Sequence, residues 1–257
     1  MLRSMKALNG FTIGATDGDI GTVKEGYFDD LSFTVRYLVV DTGGWLTGRK
    51  VLLSPIAVRA MDWEHKRITA ALTKAQVEKS PNIDTDKPVS RQHETAYYSY
   101  YGYSPYWAGS YLWGAYPYPY LGTGPAPNAA ELAREQRWNW EAKAREDPHL
   151  RSSRAVTGYY IQATDGDIGH VEDFLVDDQS WAIRYMLVDT TNWWAGKKVL
   201  VAPAWIKQVD WAQSKVHVTV TRAQIKTSPE YDPARPVERA YEAQLYNHYG
   251  HPRYWRE

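Results

Sequence analysis

Short runs of β-branched and aromatic residues, broken every few positions by Gly, Asp or Pro, give residues 12–72 their character. Residues 23–28, 34–41, 50–53, 57–63 and 67–72 each read as a strand, because such side chains favour the pleated backbone. Between them stand turn formers. Asp17-Gly18 is a hairpin signal, since glycine tolerates the positive φ that tight hairpin turns demand. Gly21 suits a bulge or a close backbone approach. Asp29-Asp30 starts another turn, Pro55 separates two strands, and Glu64-His65-Lys66 closes a hairpin. Strands this short and closely spaced predict a small barrel or sandwich. A short helix follows: Thr73-Lys74-Ala75-Gln76 fits a capping box, and Ser80-Pro81 ends it.

The pattern is written twice. Ala15-Thr16-Asp17-Gly18-Asp19-Ile20-Gly21 recurs as Ala163-Thr164-Asp165-Gly166-Asp167-Ile168-Gly169, an offset of 148 (165 − 17). Without a gap, the same offset aligns Leu2-Arg3-Ser4 with Leu150-Arg151-Ser152 and Arg36-Tyr37 with Arg184-Tyr185. It also aligns Asp62-Trp63 with Asp210-Trp211, Thr73 with Thr221, and Tyr106-Trp107 with Tyr254-Trp255. One register held over this span is a duplication. Its period is far longer than the roughly 20–50 residues of a solenoid repeat, so it specifies tandem globular domains. The expected division is a first domain at 2–107, a connecting segment at 108–149 and a second domain at 150–257.

The connecting region is chemically distinct. From 95 to 130 there is no charged residue, while 97–120 carries ten tyrosines with Trp107 and Trp113. Gly and Pro punctuate it, which argues against one continuous helix across 97–120. Residues 129–146 are good helix formers, with Glu141 and Arg145 at the favourable i, i+4 spacing. Asp147-Pro148 ends this linker helix.

Composition narrows the function. The 257 residues carry 30 Lys and Arg against 30 Asp and Glu, no surplus of cations for phosphates. No nucleic acid partner is therefore expected. With no cysteine, thiol nucleophiles, disulfides and cysteine-ligated metals are excluded. The apolar runs are far shorter than the roughly 20 residues of a membrane-spanning helix, and no secretory leader is apparent. The expectation is a cytoplasmic protein with no membrane span.

The run Asp17-Gly18-Asp19-Ile20-Gly21, then Asp29-Asp30, then Arg36-Tyr37-Leu38-Val39-Val40-Asp41, then Gly48-Arg49-Lys50-Val51-Leu52-Leu53-Ser54-Pro55, resembles the PRC-barrel family, and both copies carry it. The resemblance implies a mainly β chain: two tandem, small, mostly antiparallel barrels of about six strands, each followed by a short helix. Similar domains form the cytoplasmic part of the H subunit of photosynthetic reaction centres and the C-terminal half of the ribosome maturation factor RimM. These motif positions are turn formers and strand cores, so they carry a fold further than a function.

The candidates for chemistry are few. Asp17/Asp19 and Asp165/Asp167 lack the longer ligand alternation of a calcium loop and read as turn residues. Asp41 and Asp189 read as strand-end acceptors, with Arg36/Asp41 and Arg184/Asp189 as candidate ion pairs. His248 and His251, an i, i+3 pair without a third ligand, read as surface residues. Trp45, Trp63, Trp193 and Trp211 recur between copies and read as core or barrel-mouth residues. Trp194 and Trp205 face Leu46 and Ala57 in the alignment, which reads as divergence on the surface or at a mutual interface. No catalytic residue, cofactor-binding residue or metal ligand is assigned.

The aromatic segment is the candidate interaction surface, at Tyr111, Trp113, Tyr116, Tyr118 and Tyr120, since Tyr and Trp give large contact area at low entropic cost. Packing of these rings onto the barrels is the competing reading, and it is favoured for 97–107, where copy two repeats the pattern. The leading functional expectation is a non-catalytic adaptor or structural protein that binds another protein or complex. The alternative is a reaction-centre-H-like accessory at a membrane face, and the third reading is a small-ligand binder or enzyme. Duplication also points to two barrels packed about a pseudo-twofold axis, with a homo-oligomer as a further possibility.

Overall fold

The computed structural model describes residues 1–81, 89–121, 149–191 and 197–255. The expected linker helix at 129–146, together with Trp193 and Trp194, lies outside the described residues. The chain divides into two compact units. The N-terminal unit is Ala7–Ser152 with Gln179–Ala182, and the C-terminal unit is Met1–Lys6, Ser153–Asp178 and Ile183–Glu257.

The N-terminal unit is built on one seven-stranded sheet. Its strands are β2 (Thr12–Ala15), β3 (Gly18–Asp29), β4 (Thr34–Asp41), β5 (Lys50–Leu53), β6 (Val58–Asp62), β7 (Arg67–Ala70) and β8 (Leu150–Ser152). They run in the order β5-β4-β3-β2-β7-β6, with β8 added along β3. Every pairing is antiparallel except β2 with β7. The C-terminal unit repeats the order with β1 (Leu2–Ser4), β9 (Tyr160–Ala163), β10 (Gly166–Asp177), β11 (Ile183–Asp189), β12 (Lys198–Val201), β13 (Ile206–Asp210) and β14 (Lys215–Val218). The mainly β fold class follows as expected.

Local chemistry explains the details. Ile13 pairs with Gly21 and Gly14 with Asp19, so Ile20 is an extra residue in β3. A Cβ on Gly21 would lie 2.0 Å from the Asp41 carbonyl oxygen, and one on Gly169 would meet Asp189 at the same distance. Glycine is required there by close approach. Both capping boxes form, opening α1 (Lys74–Glu78) and its counterpart α4 (Arg222–Thr227). Between them in sequence come α2 (Arg91–Tyr101) and the single turn α3 (Ser153–Val156); α5 (Arg239–Tyr249) is the last helix.

The helix α2, with its counterpart α5, is the longest element that the residue pattern did not predict. Ser90 caps α2 by accepting from the His93 N–H, and Gly102 ends it in the left-handed conformation, φ +67°. Its buried side chains, Glu94, Tyr97 and Tyr98, follow helical spacing and lie against the sheet. Tyr97 and Tyr98 meet Tyr37 of β4 edge-on. As a result β4 is buried along almost its whole length.

One substitution between the copies is compensated inside the core. In the N-terminal unit the Tyr97 ring lies against Tyr98, Tyr101 and Tyr103. In the C-terminal unit the equivalent residues Tyr246, Tyr249 and His251 surround Trp205 instead. Tyr97 is replaced by Leu245, and the buried Ala57 by Trp205, which is 1% exposed. Trp205 is therefore a core residue and not a mark of surface divergence. The large ring enters from the helix in one unit and from the 3-10 turn Pro203–Trp205 in the other. Trp45, Trp63 and Trp211 are half-buried, with Trp63 edge-on to Phe11.

Candidate functional site

The most concentrated polar chemistry lies where α2 covers β4. Glu94, only 1% exposed, accepts through Oε1 from the Tyr37 hydroxyl at 3.0 Å and from the Tyr106 hydroxyl at 2.8 Å. Its Oε2 is ion-paired with Arg91 at 3.0 Å and lies 2.9 Å from His149 Nε2. The C-terminal unit repeats the core of this arrangement. Glu242, 3% exposed, accepts from Tyr185 and Tyr254 and pairs with Arg239. Burial, and next the Glu94 charge, hold the Tyr37 and Tyr106 phenols well above their ordinary range. At neutral pH they serve as hydrogen-bond donors, not as bases or nucleophiles. The cluster braces helix to sheet.

A bulge brings Arg36 to the same region. Tyr27 pairs with Tyr37 and Phe28 with Val35, which leaves Arg36 as the extra residue of β4. A bulge re-aims the side chain it carries. The guanidinium lies 3.7 Å from the Tyr106 ring centroid and 4.9 Å from that of Trp113, and it donates to the Leu112 carbonyl and the Ser32 hydroxyl. Its acidic neighbour is Asp29, at 3.7 Å, and not Asp41. The expected Arg36/Asp41 pair fails because five residues along a strand span roughly 16 Å. Asp41 pairs instead with Lys24, the extra residue of another bulge in β3. In the C-terminal unit Arg184 likewise pairs with Asp177 and lies over Tyr254.

Past Tyr106 the aromatic segment is folded back by tight turns. Ala108 N–H donates to the Pro105 carbonyl, Tyr111 N–H to Gly114 and Trp113 N–H to Tyr116. A Cβ on Gly109 would lie 2.4 Å from the Gly114 oxygen, so this turn also needs glycine. Trp113 points inward: it is 4% exposed, covers Arg36, and donates its indole N–H to the Ser180 carbonyl. Sequence placed Trp113 on the interaction surface. Its cation–π contact and indole bond bury it, and it serves as the anchor of the segment. The effect on Arg36 is measurable: its side chain is 3% exposed against 24% for Arg184.

The other four candidates face outward. Tyr111 is 60% exposed, and Tyr116, Tyr118 and Tyr120 are exposed by a third to a half. Tyr116 contacts both Tyr118 and Tyr120, the latter at 4.6 Å between ring centroids. Three touching rings, separated in sequence by Pro117 and Pro119, stand on a base pinned by Trp113. Within 97–107 most rings turn inward, with Tyr97, Tyr98, Tyr103 and Tyr106 buried and Tyr101 and Trp107 half-buried, while Tyr100 stays exposed.

The remaining candidates have structural partners. Asp17 and Asp165 accept the first N–H groups of α1 and α4, from Lys74 and Arg222, beyond the turn role assigned from sequence. Asp19 pairs with Arg67. Asp189 accepts from Thr191. His248 Nε2 contacts the Gln224 carbonyl, while the His251 ring stacks on Trp205. Among the described residues no three His, Asp or Glu side chains are grouped to hold a metal ion. Nor is any helix there long and apolar enough to cross a membrane.

Glu94 and Glu242 were missed in the sequence, although the signal was present. Arg91-x-x-Glu94 and Arg239-x-x-Glu242 recur at the offset of 148, as do their tyrosine partners. The strand order, the close-approach glycines (Gly21 and Gly169) and the capping boxes recur in both units. No curated protein matches the chain. The profile of the PRC-barrel domain family does match, over residues 7–77, so this part of the chain is similar to that family.

Proposed function

We propose that the chain is a non-catalytic adaptor whose docking surface is the tyrosine face of the N-terminal unit. A PRC-barrel domain suggests a structural or interaction module. The observation that carries the reading is the division of labour within the segment: Trp113 is buried as an anchor, while Tyr111 and Tyr116 are held outward on hydrogen-bonded turns and the exposed Tyr118 and Tyr120 rings lie against Tyr116. Rigid tyrosines lose little conformational entropy on binding, which is why they dominate protein recognition surfaces. The absence of Lys and Arg from 95–130 disfavours a nucleic-acid strand, whose phosphates need cations between the stacking rings. A protein partner satisfies both conditions.

The test is affinity capture from the native cells with the wild-type chain and with a variant carrying Tyr111→Ser, Tyr116→Ser, Tyr118→Ser and Tyr120→Ser. The wild type is expected to retain a defined protein at stoichiometric level, and the variant to lose it while keeping its thermal melt. Equal recovery by both chains, or recovery of the bait alone, would overturn the assignment.

A further inference from the structure

The tripeptide Leu-Arg-Ser occurs at 2–4 and again at 150–152, and each occurrence is a strand on the edge of a long hairpin. β8 pairs with β3 in the register Leu150↔Asp29, Arg151↔Phe28 and Ser152↔Tyr27. β1 pairs with β10 as Leu2↔Asp177, Arg3↔Val176 and Ser4↔Leu175. Subtracting 148 from 177, 176 and 175 returns 29, 28 and 27, so the two edges are equivalent positions. The occupants, however, are crossed. Leu2–Ser4 belongs to the compact unit made mainly of the second repeat, and Leu150–Ser152 to the unit made of the first.

The side-chain contacts repeat as faithfully as the register. Ser4 Oγ donates to Asp173, and Ser152 Oγ donates to the equivalent Glu25. Arg151 Nε lies 2.7 Å from Asp30, and Arg3 Nε lies 3.6 Å from the equivalent Asp178. The backbone ladder extends past each strand, with Asp30 N–H donating to the His149 carbonyl and Asp178 N–H to that of Met1. Each edge therefore offers main-chain pairing, one carboxylate for the serine and another for the arginine. This is recognition by strand addition, in which backbone bonds give affinity and side-chain positions give specificity.

We infer that these edges of β3 and β10 are equivalent receptor sites for a Leu-Arg-Ser strand, and that a single chain fills them crosswise. Each repeat completes the sheet of the other. The same tripeptide satisfies either edge, so the occupant is decided by how the chain is connected, as in the exchange of an identical element between protomers. Here both protomers are repeats of one polypeptide. The two units are then mutually dependent: each lacks an edge strand until the other repeat supplies it.

The absence of native cysteine allows a direct test in the full chain. Directly opposed strand residues have Cα atoms about 4.5–5.5 Å apart, within disulfide range. Four double variants are compared after mild oxidation. Leu2→Cys with Asp177→Cys and Leu150→Cys with Asp29→Cys report the crossed arrangement. Leu2→Cys with Asp29→Cys and Leu150→Cys with Asp177→Cys report the uncrossed one. Sizing and mass spectrometry of denatured digests identify the links. The crossed pairs are expected to give about tenfold more disulfide than the uncrossed pairs, within one chain. Preferential linkage of the uncrossed pairs overturns the inference, and so does a crossed linkage found only between two chains. Because the two crossed pairs lie in different units, misfolding of one variant leaves the other to decide.

Discussion

Replacing Glu94 with alanine removes one acceptor from two buried phenols and one charge from a buried pair. Tyr106 retains the bond donated by Arg91 and the contact with His149 Nε2, so its hydroxyl stays partnered. Among the described residues the Tyr37 hydroxyl bonds to Glu94 alone, so it is left buried without an acceptor, at a cost of about 1–3 kcal/mol. Arg91, about a quarter exposed, keeps its charge beside an emptied site. Breaking a buried pair from one side costs about 3–5 kcal/mol in total. At roughly 2–4 °C per kcal/mol for a unit of this size, the Tm should fall by roughly 10 °C. Glu94→Gln should cost less, because its amide oxygen still accepts from both phenols. Glu242→Ala should also cost less than Glu94→Ala, because the Arg239 side chain is already 57% exposed and reaches water readily. Scanning calorimetry of the three variants checks the order. A Glu94→Ala melt within about 2 °C of wild type would refute the bracing role, and so would Glu94→Gln proving the worse of the two.

Gly21→Ala should destabilise by about 2–4 kcal/mol, because its Cβ would strike backbone and not a yielding side chain. Gly43→Ala, where only a φ of +62° opposes the change, should cost about 1 kcal/mol, and urea titrations of both check the contrast. Thr73→Ala removes the hydroxyl of the capping box and should lower stability by about 1 kcal/mol, with Thr221→Ala doing the same in the other unit. Burial raises the phenols of Tyr37, Tyr97, Tyr98 and Tyr106 above their unfolded value of 10. Their contribution is fully present below pH 10 and is lost as pH rises beyond it, by about 1.4 kcal/mol per phenol per pH unit. Tyrosinate absorbance should therefore show one fast-ionising class and a second class that appears only with loss of β-sheet circular dichroism. A single smooth titration with the sheet intact would contradict this.

The fold was legible in the sequence where local chemistry and the duplication agreed. Strands at 34–41 and 50–53, both capping boxes and the close approach at Gly21 follow from residue type and spacing alone. The helix Arg91–Tyr101 was not legible in the same way, because its buried stripe is carried by Glu94 and tyrosines and reads as polar. Its spacing at 94, 97, 98 and 101 was nevertheless helical, and recurred at 242, 245, 246 and 249. Ion-pair partners were misread for a geometric reason. Bulges at Lys24 and Arg36 change which side chains meet, and a bulge is a property of pairing between strands that no single strand displays. Trp113 illustrates a third limit. Its neighbours Tyr111 and Tyr116 have the same aromatic character, and only the turns at Gly109 and Gly114 decide which ring faces Arg36.

The exchange of Ala57 and Tyr97 for Trp205 and Leu245 restricts how this core can change. Each unit solves one volume problem with two residues that are 40 positions apart in sequence, since 97 − 57 and 245 − 205 both equal 40. Introducing tryptophan at 57 while Tyr97 remains would crowd two large rings into one space, and reverting Trp205 beside Leu245 would leave a hollow. Either half-step is penalised, by roughly 1–3 kcal/mol for crowding or 3–5 for the void. Grafting a core segment from one repeat into the other must therefore transfer the 3-10 turn and the helix face together. The two halves share an ancestral plan, but their interiors are no longer interchangeable parts.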